Sequence, residues 1–298
     1  MSSNYLMRSL MFVPGHNEQL LRKSATSEAD VLLLDIEDSV QPRCNKILAR
    51  QLIEKLHTDG IFANKKIFIR INDRESGELI DDILSMTISG IEGFVYPKSN
   101  NSEDIFFIDK LLESIEYKKK LEIGTFKLIP LIETSGAVLN ALSIAKSSKR
   151  IVAIAYGCED FLTDLQGTHD LEEMALQVPR SMIAMAARAA GVTPIDTVHI
   201  QVHDLEDLNK NLKIAKTLGF EGMLVLNPKE IPLVHQYFSP TDQEVEKAKE
   251  IVELAEASIL SGVGVAIIKG KFVGPPLLQG AKKILNKNYL INNKGAIE

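Results

Sequence analysis

The stretch Ala29–Val40, ADVLLLDIEDSV, contains the pattern that decides the fold. Its centre, Val31–Asp35, is a continuous apolar run that ends in acidic residues, which is typical of a parallel strand covered on both faces. Similar short runs recur along the chain, each followed by a polar or Gly/Pro-bearing turn and a segment of helical periodicity. This repeat indicates successive βα units.

The repeat predicts eight strands. They cover Ser9–Val13, Val31–Asp35, Lys66–Ile71, Gly93–Tyr96, Lys127–Ile132, Ile151–Tyr156, Thr197–Val202 and Gly222–Leu226. Eight βα units in about 230 residues fit a (β/α)8 TIM barrel of the usual size. A doubly wound open sheet can hold the same elements, but the first turn lacks the glycine-rich motif of that fold. We therefore predict a barrel over residues 1–240.

Residues 241–298 form a predicted C-terminal helical extension. Asp242–Leu260 has the pattern of one long helix, a last helix is expected to end near Leu285, and the final residues are expected to fray. Gly262–Gly264 is not a dinucleotide motif, because Ile267 stands where the third glycine is needed. The extension either caps the barrel or reaches a neighbouring subunit, and the sequence leaves both open.

The amino-acid composition argues against several classes of function, among them nucleic-acid binding and membrane insertion. The chain has 298 residues with 34 Lys+Arg against 40 Asp+Glu, a net charge of −6, and its basic residues form no block that would favour nucleic acid. Its apolar runs are too short to span a bilayer, and its N-terminus lacks a signal-peptide pattern. Two cysteines make neither a disulfide framework nor a zinc framework. We expect a soluble cytoplasmic protein that acts on a small molecule.

Catalytic groups of a barrel lie at the carboxyl ends of its strands. Polar residues at these predicted ends are Asp35, Glu37, Asp38, Arg70, Asn72, Lys98, Glu133, Asp160 and Asn227. Glu133 and Asp160 follow neighbouring strands, so their carboxylates can hold Mg²⁺ together with waters and a substrate oxygen. The alternative is that both favour the N-termini of the helices that follow. Arg70 is a candidate for anion binding or for a buried ion pair.

Three further residues are weaker candidates. His199 and His203 share one face of the predicted seventh strand, but a zinc site needs a third ligand that the sequence does not offer. We therefore interpret both as polar or structural histidines. Cys158 follows a strand without an adjacent base, so we expect an unreactive thiol.

Several phrases of the sequence resemble the citrate lyase β-subunit-like family. They are RSLMFVPG (8–15), ADVLLLDIEDSV (29–40), IRIN (69–72), YPK (96–98), LIETSGAVLNA (131–141), YGCEDF (156–161), ARAAGVTPID (187–196) and GFEGMLVLNPKEI (219–231). They occur in order, and the resemblance extends over most of residues 7–285. The family belongs to the HpcH/HpaI group of Mg²⁺-dependent (β/α)8 aldolases and lyases, and its members are usually trimers or hexamers.

The resemblance implies a Mg²⁺-dependent lyase that cleaves or forms a carbon–carbon bond through an enolate. The implied substrate is a 3-hydroxyacyl thioester of the citramalyl-, malyl- or citryl-CoA type. The resemblance implies Mg²⁺ ligands at Glu133 and Asp160 and an anion-holding arginine at Arg70. A metal ion and a cationic arginine beside the developing oxyanion stabilise it.

Four more residues complete the expected site. Under the same interpretation, Glu37 and Asp38 act with Arg70 in catalysis, as groups that orient the site or handle protons. Arg8 and Lys98 join Arg70 in binding the substrate. Related pyruvate-type aldolases carry Glu-His after the second strand, whereas this chain carries Glu37-Asp38, which favours the acyl-thioester branch.

Three positions depart from the family's pattern. Gly274 stands where the family usually has an Asp that serves a neighbouring subunit as acid or base, and glycine has no proton to transfer. Asn227 replaces a customary His, and Asn100 replaces an acid. Two alternatives therefore stay open. One is a non-catalytic relative that binds an acyl-CoA or an organic acid, and the other is the β-subunit of a citrate lyase complex with an acyl-carrier partner.

Overall fold

Eight parallel strands close into a barrel in chain order in the computed structural model, which describes residues 5–170, 172–260, 266–268 and 271–293. The strands are β1 Ser9–Pro14, β2 Val31–Asp35, β3 Lys66–Arg70, β4 Gly93–Tyr96, β5 Lys127–Ile132, β6 Ala153–Tyr156, β7 Thr193–Asp196 and β8 Gly222–Val225. Leu10 of β1 pairs with Val31 on one side and with Leu224 on the other, which closes the ring. The predicted TIM barrel is confirmed, and the open sheet is excluded.

Helices cover the outside of the barrel. They are α1 Glu18–Ser24, α2 Asn45–Thr58, α3 Leu79–Met86, α4 Ser102–Lys119, α5 Ser135–Lys146, α6 Cys158–Leu165, α7 Met174–Ala190, α8 Leu205–Leu218 and α9 Ile231–Phe238. Beyond the barrel follow α10 Asp242–Leu260, the antiparallel strands β9 Ala266–Ile268 and β10 Lys271–Val273, and α11 Pro275–Asn292. No helix among the described residues has the length and apolar character needed to cross a membrane.

Strand alternation decides which side chains enter the barrel. One buried cluster fills the interior with Leu10, Val31, Leu33, Phe68, Val95, Ile129, Leu131, Ala153, Ala155, Ile195 and Leu224. A larger buried cluster lies between the strands and the helices. Residues two apart on a strand face the same side. Arg70 therefore faces the same side as Phe68, and Glu133 the same side as Leu131. Both side chains lie at the carboxyl ends of the strands, which we call the mouth of the barrel.

The seventh strand differs from its prediction. It covers Thr193–Asp196, whereas the predicted Thr197–Val202 belongs to the loop before α8. Pro194 pairs with Ile154 of β6, although a proline inside a strand ordinarily argues against one because it has no N–H to donate. The alternating residues 197–202 have the more typical strand pattern. As a result, His199 and His203 lie in a loop and do not share a strand face.

The C-terminal extension contains the two predicted helices. Asp242–Leu260 is confirmed as α10, and α11 continues past the predicted end at Leu285 to Asn292. The later turns of α11 are held because Lys287 Nζ donates to the Glu221 carbonyl at 3.3 Å, just before β8. The two helices share a small buried cluster, consisting of Ala248, Ile251, Ala255 and Ala281. Gly262–Gly264 lies outside the described residues.

Candidate active site

Arg70 and Asp35 form a double hydrogen-bonded ion pair at the carboxyl ends of β3 and β2. Arg70 Nε donates to Asp35 Oδ1 and Nη2 donates to Oδ2, both at 2.7 Å. The Arg70 Cζ lies 4.7 Å from the centroid of the Phe12 ring, in a cation–π contact. These contacts fix the guanidinium in the barrel mouth and leave its Nη1 directed at other groups.

Asp35 remains ionised in this pair. Burial acts to raise its pKa, but the Arg70 charge and the hydrogen bonds outweigh burial and lower the pKa below its usual value. Asp35 also accepts the backbone N–H of Glu37 at 2.9 Å and that of Ser39 at 3.1 Å. Asp35 therefore connects the guanidinium to the turn after β2.

Glu37 and Asp38 face the remaining nitrogen of Arg70. Arg70 Nη1 lies 3.1 Å from Glu37 Oε2 and 3.5 Å from Asp38 Oδ2. Burial raises the pKa of Glu37 to about 8 against the attraction of Arg70, and the Asp38 and Asp35 charges add to the rise. Asp38 is different, because its side chain is 59% exposed. The turn thus places a carboxyl group that holds its proton near neutral pH next to a fixed cation.

Glu133 follows β5 and is buried, with 2% of its surface exposed. Its Oε1 accepts the backbone N–H of Lys98 at 2.5 Å. Burial raises the pKa of Glu133 to about 7, and the charge of Asp160 adds to the rise. Thr134 caps α5, since its side chain accepts the N–H of Ala137. The helix-capping alternative is therefore wrong for Glu133.

Gly157 provides the space for the Glu133 carboxylate. A Cβ at position 157 would lie 2.7 Å from Glu133 Oε2 and 2.8 Å from Glu133 Cβ, well inside van der Waals contact. Earlier on the same strand, β6 presents only Ala153 and Ala155 to the interior. The small residues of β6 thus leave room for the longer side chain from β5.

Asp160 lies directly after β6, in the first turn of α6. Its pKa is raised, first by burial and then by the negative charge of Asp38, while Lys98 and Arg70 oppose the rise. Glu133 feels the Asp160 charge in the same sense. The structure therefore brings Glu133, Asp160, Asp38 and Arg70 into one electrostatic neighbourhood at the mouth.

This set of donors fits a hard divalent cation. Two carboxylates with raised pKa values supply oxygen ligands and a surplus of negative charge that a bound Mg²⁺ would compensate. Among the described residues, no group of three or more His, Cys, Asp or Glu side chains is arranged to hold a metal ion. A two-carboxylate site leaves the other positions to water and substrate oxygens, which is common for Mg²⁺.

Lys98 borders the site from the end of β4. Its φ is 49°, a left-handed conformation that is uncommon outside glycine. Its Nζ lies 2.9 Å from Asp73 Oδ2 and 3.6 Å from Glu37 Oε1. Burial acts to lower the pKa of Lys98, but the Asp73 hydrogen bond and the Glu37 charge raise it above its usual value. Lys98 is thus a cation in the neighbourhood of Arg70.

Arg8 does not join this group. It precedes β1, at the amino end of the barrel, where its Nε and Nη2 donate to Asp30 at 2.8 Å. Its Nη1 donates to Ser239 Oγ at 2.8 Å. The expected role of Arg8 in substrate binding is not supported, because its guanidinium is consumed by a buried ion pair at the end opposite the mouth. The resemblance of RSLMFVPG (8–15) to the family identified Arg8 by its place in the sequence, but it did not show at which end of β1 the side chain lies.

The loops after β6, β7 and β8 hold polar residues in structural roles. His199 Nε2 lies 3.1 Å from Asp207 Oδ2, in a partly buried contact. Burial raises the pKa of Cys158 to about 12, as expected for an unreactive thiol. The Asn227 side chain accepts the N–H of Lys229 and donates to the Val202 carbonyl. The histidine that the family customarily has at position 227 is thus replaced by a turn-capping amide.

Gly274 begins α11, at the far end of the extension. The helix α10 begins just after Ser239, which accepts a hydrogen bond from Arg8 at the amino end of the barrel. The helix α11 comes back to the same end, where Lys287 binds the Glu221 carbonyl. A helix of 19 residues is about 28 Å long, and β9, β10 and Gly274 come after it in the chain. A cavity of about 850 Å³ lies between α11 and the amino end, and none of the carboxylates of the mouth lines it.

Sequence reasoning missed Lys46, in the first turn of α2. It is 6% exposed and donates to the carbonyl oxygens of Ile36 and Glu37 at 3.2 and 3.1 Å. The sequence did hold a signal, because Lys46 shares a helix face with the buried residues Ala49, Ile53 and Leu56. A lysine on the buried face of a helix indicates a buried acceptor.

Comparisons with known proteins identify the family to which the chain belongs. The sequence pattern of HpcH/HpaI aldolase/citrate lyase matches residues 8–228. Citrate lyase subunit beta of Haemophilus influenzae is 33% identical over 282 residues, which cover 95% of this chain and 97% of that protein. The mitochondrial citramalyl-CoA lyase of Rattus norvegicus is 28% identical, over 96% of this chain and 87% of that protein.

The fold also matches solved structures. Protein CitE from Mycobacterium tuberculosis, in complex with magnesium, acetoacetate and coenzyme A, aligns with a TM-score of 0.72 and 23% identity. The alignment covers 94% of this chain and 97% of that chain. The matched residues 8–228 contain β1 to β8 and all the carboxylates of the mouth. The chain therefore belongs to the HpcH/HpaI aldolase/citrate lyase family.

Proposed function

We propose that the protein is a Mg²⁺-dependent carbon–carbon lyase that acts on a 3-hydroxyacyl thioester of the citramalyl-, malyl- or citryl-CoA type. The observation that carries the proposal is the neighbourhood of Glu133, Asp160 and Arg70 in the barrel mouth. Cleavage of a carbon–carbon bond beside a carbonyl leaves an enolate, whose oxygen must be stabilised. The names of relatives, a citrate lyase subunit and a citramalyl-CoA lyase, agree with this class of reaction.

Glu133 and Asp160 are the proposed Mg²⁺ ligands. When bound, the ion supplies Lewis-acid stabilisation of a substrate oxygen. The N–H of Lys98 occupies Glu133 Oε1, which leaves Oε2, beside Gly157, free to bind the ion. Asp160 brings the second carboxylate from the first turn of α6, which follows the neighbouring strand β6.

Arg70 is the proposed anion-binding group. Its Nε and Nη2 are held by Asp35, so only Nη1 is directed toward a substrate oxygen. Because the guanidinium is already fixed, binding requires little further ordering. Lys98, with 44% of its side chain exposed, is the second cation proposed to hold a substrate carboxylate.

Glu37 and Asp38 are the proposed proton-handling groups. Since glycine at position 274 offers no acid, we assign the proton transfer to carboxyl groups at the mouth of the barrel. Glu37 keeps a proton near neutral pH because of its burial, and it lies 3.1 Å from Arg70 Nη1. It is thus in position to protonate the carbanion end of an enolate that Arg70 holds.

A cleavage assay with malyl-CoA and citramalyl-CoA, with and without EDTA, tests this function. We expect EDTA-sensitive release of a keto acid. Asp160→Asn should abolish turnover and weaken calorimetric Mg²⁺ binding. The matched control is Asp164→Asn, one turn later on α6, whose carboxylate accepts the Ser135 N–H at 2.7 Å. No turnover by a protein that binds Mg²⁺ would contradict a lyase for these substrates.

Two alternatives have specific support. Gly274 favours a relative that binds an acyl-CoA or organic acid without turning it over, which calorimetric binding without product would support. The 33% identity to a citrate lyase subunit favours the β-subunit of a citrate lyase complex. That alternative requires an acyl-carrier partner, and co-purification from the native source would identify one.

We also propose that the protein assembles as a homotrimer or hexamer in the cytoplasm. Residues 1–240 form the barrel in this proposal, and residues 241–298 form an extension that caps the barrel or contacts a neighbouring subunit. Large apolar side chains on α5 and α7 support assembly, since Leu139 is 76% exposed, Val178 66% and Met185 64%. The helices α5 and α7 pack side by side, and contiguous apolar surfaces are typical of partner contacts. Light scattering measures the mass in solution, and a monomer would contradict the assembly.

A further inference from the structure

The Lys46 ammonium is buried behind the turn that carries Glu37 and Asp38. Its Nζ donates to the Ile36 carbonyl at 3.2 Å, to the Glu37 carbonyl at 3.1 Å and to Asn72 Oδ1. All three acceptors are uncharged oxygens, so the three protons of the ammonium are matched by three acceptors. A buried ammonium without a carboxylate among these acceptors is costly unless every proton is bonded. Such an arrangement is therefore geometrically demanding.

Two of these oxygens belong to consecutive residues of the turn. The carbonyl of Ile36 and the carbonyl of Glu37 are held by one point charge, which fixes the peptide between them. The Glu37 carbonyl also accepts the Val40 N–H at 3.1 Å, which closes the turn. The direction in which the Glu37 side chain leaves the backbone is therefore set from behind by Lys46 and from the front by Arg70 Nη1.

The third acceptor anchors Lys46 to the neighbouring strand and helix. Asn72, just after β3, donates through Nδ2 to the Ile36 carbonyl at 2.9 Å and to Asp82 Oδ2 at 2.7 Å. Asp82, on α3, is held in turn by Arg50 Nη1 at 2.6 Å. The ammonium thus lies in a buried polar network with no freedom to rotate away from the turn.

We propose that Lys46 is a positioning residue for the proposed reaction: its ammonium, by binding two consecutive carbonyl oxygens, holds the Glu37–Asp38 turn in place against Arg70. Lys46 touches no reacting atom and acts only through that turn. This inference rests on the proposed function, but its structural part, the order of the turn, does not depend on turnover.

Lys46→Met tests the inference, because methionine keeps an unbranched side chain only one atom shorter and removes the three donors. The matched control is Lys119→Met at the opposite end of the barrel, where Lys119 Nζ donates to the Thr87 carbonyl at 2.6 Å. Hydrogen exchange of the segment 36–41 is measured in both variants, at a temperature where both are folded. We expect exchange to accelerate at least about tenfold in Lys46→Met alone, which corresponds to about 1.4 kcal/mol of lost local protection.

A double-mutant cycle with Glu37→Gln separates positioning from a general loss of stability. We expect Lys46→Met to lower kcat by about 100-fold in the wild type and by much less in the Glu37→Gln background, since Lys46 then has no acid to position. Calorimetric Mg²⁺ affinity should change little, because Lys46 binds neither Glu133, which follows β5, nor Asp160, which lies on α6. Equal losses of kcat in the two backgrounds, or unchanged exchange at 36–41, would overturn the inference. If the wild-type protein shows no turnover, the proposed function is contradicted. The inference about Lys46 is then tested by hydrogen exchange at residues 36–41 alone.

Discussion

The backbone N–H of Lys98 donates to Glu133 Oε1 at 2.5 Å from a left-handed backbone with a φ of 49°. This conformation costs an ordinary L-residue about 1–2 kcal/mol. The end of β4 is therefore locally strained, and the strain orients one carboxylate of the mouth. The Lys98 side chain takes no part in this hydrogen bond, so the backbone and side-chain roles of the residue are separable.

Lys98→Gly and Lys98→Ala separate these roles. Both variants lose the contacts to Asp73 and Glu37, but only glycine relieves the left-handed strain. We expect Lys98→Gly to be more stable than Lys98→Ala by about 1 kcal/mol in urea unfolding. Calorimetric Mg²⁺ affinity should be the same in the two variants, because both keep the N–H. Equal stabilities would show that the strain is absent.

Gly157→Ala should displace the Glu133 carboxylate, because the added Cβ would lie 2.7 Å from Glu133 Oε2. We expect Mg²⁺ affinity to fall by about tenfold or more, which is about 1.4 kcal/mol. Gly136→Ala on α5 is the control, since its Cβ would come no closer than 3.9 Å to Thr134 Oγ1. That change should stabilise the helix by about 0.5–1 kcal/mol. Wild-type affinity in Gly157→Ala would show that Oε2 is not a ligand.

Asp35→Asn should destabilise the barrel strongly, since it removes the buried carboxylate that holds the Arg70 guanidinium by two hydrogen bonds. Removing one member of a buried pair costs about 3–5 kcal/mol. Asp38→Asn is the matched change at the 59%-exposed member of the same cluster, where an ion pair contributes about 0–1 kcal/mol. Chemical denaturation of the two variants at neutral pH measures both losses. Similar losses would mean that Arg70 is not held mainly by Asp35.

Glu37 gives the stability a pH dependence of definite sign. Its pKa is about 8 in the folded state, against an ordinary 4.5. Between these values the folded state binds more protons than the unfolded state, so the free energy of unfolding falls as pH rises through this window. Glu37→Gln removes this contribution. Urea midpoints at pH 5 to 8, in EDTA, should therefore decline less steeply in the variant, and parallel curves would contradict the raised pKa.

The strand pattern predicted most of the barrel. Continuous apolar runs such as Val31–Asp35 and Lys127–Ile132 have the same bounds in sequence and structure, because both faces of each strand are buried. Thr193–Asp196 escaped prediction because Pro194 breaks the rule on which strand recognition depends. The segment is a strand because it pairs with β6 and β8. The local sequence pattern does not show this pairing.

The mouth was predictable only in part, for a different reason. Strand-end position alone selected Arg70, Glu133 and Asp160, because all barrel strands point the same way. It could not place Arg8, which begins its strand. Lys46 lies on a helix, and its contact with the turn after β2 depends on how α2 packs. The sequence pattern thus indicates that Lys46 is buried, but the packing of α2 decides which oxygens it binds.

Glycine at position 157 leaves the space that the Glu133 side chain fills, so a substitution at one position affects which residues the other can accept during evolution. A protein that acquired alanine at 157 first would lose the carboxylate geometry before any compensating change, whereas a shorter acid at 133 would leave a void beside the glycine. We expect the two positions to covary among relatives, and glycine at 157 to accompany glutamate at 133. Libraries that redesign the mouth should therefore randomise the two positions jointly.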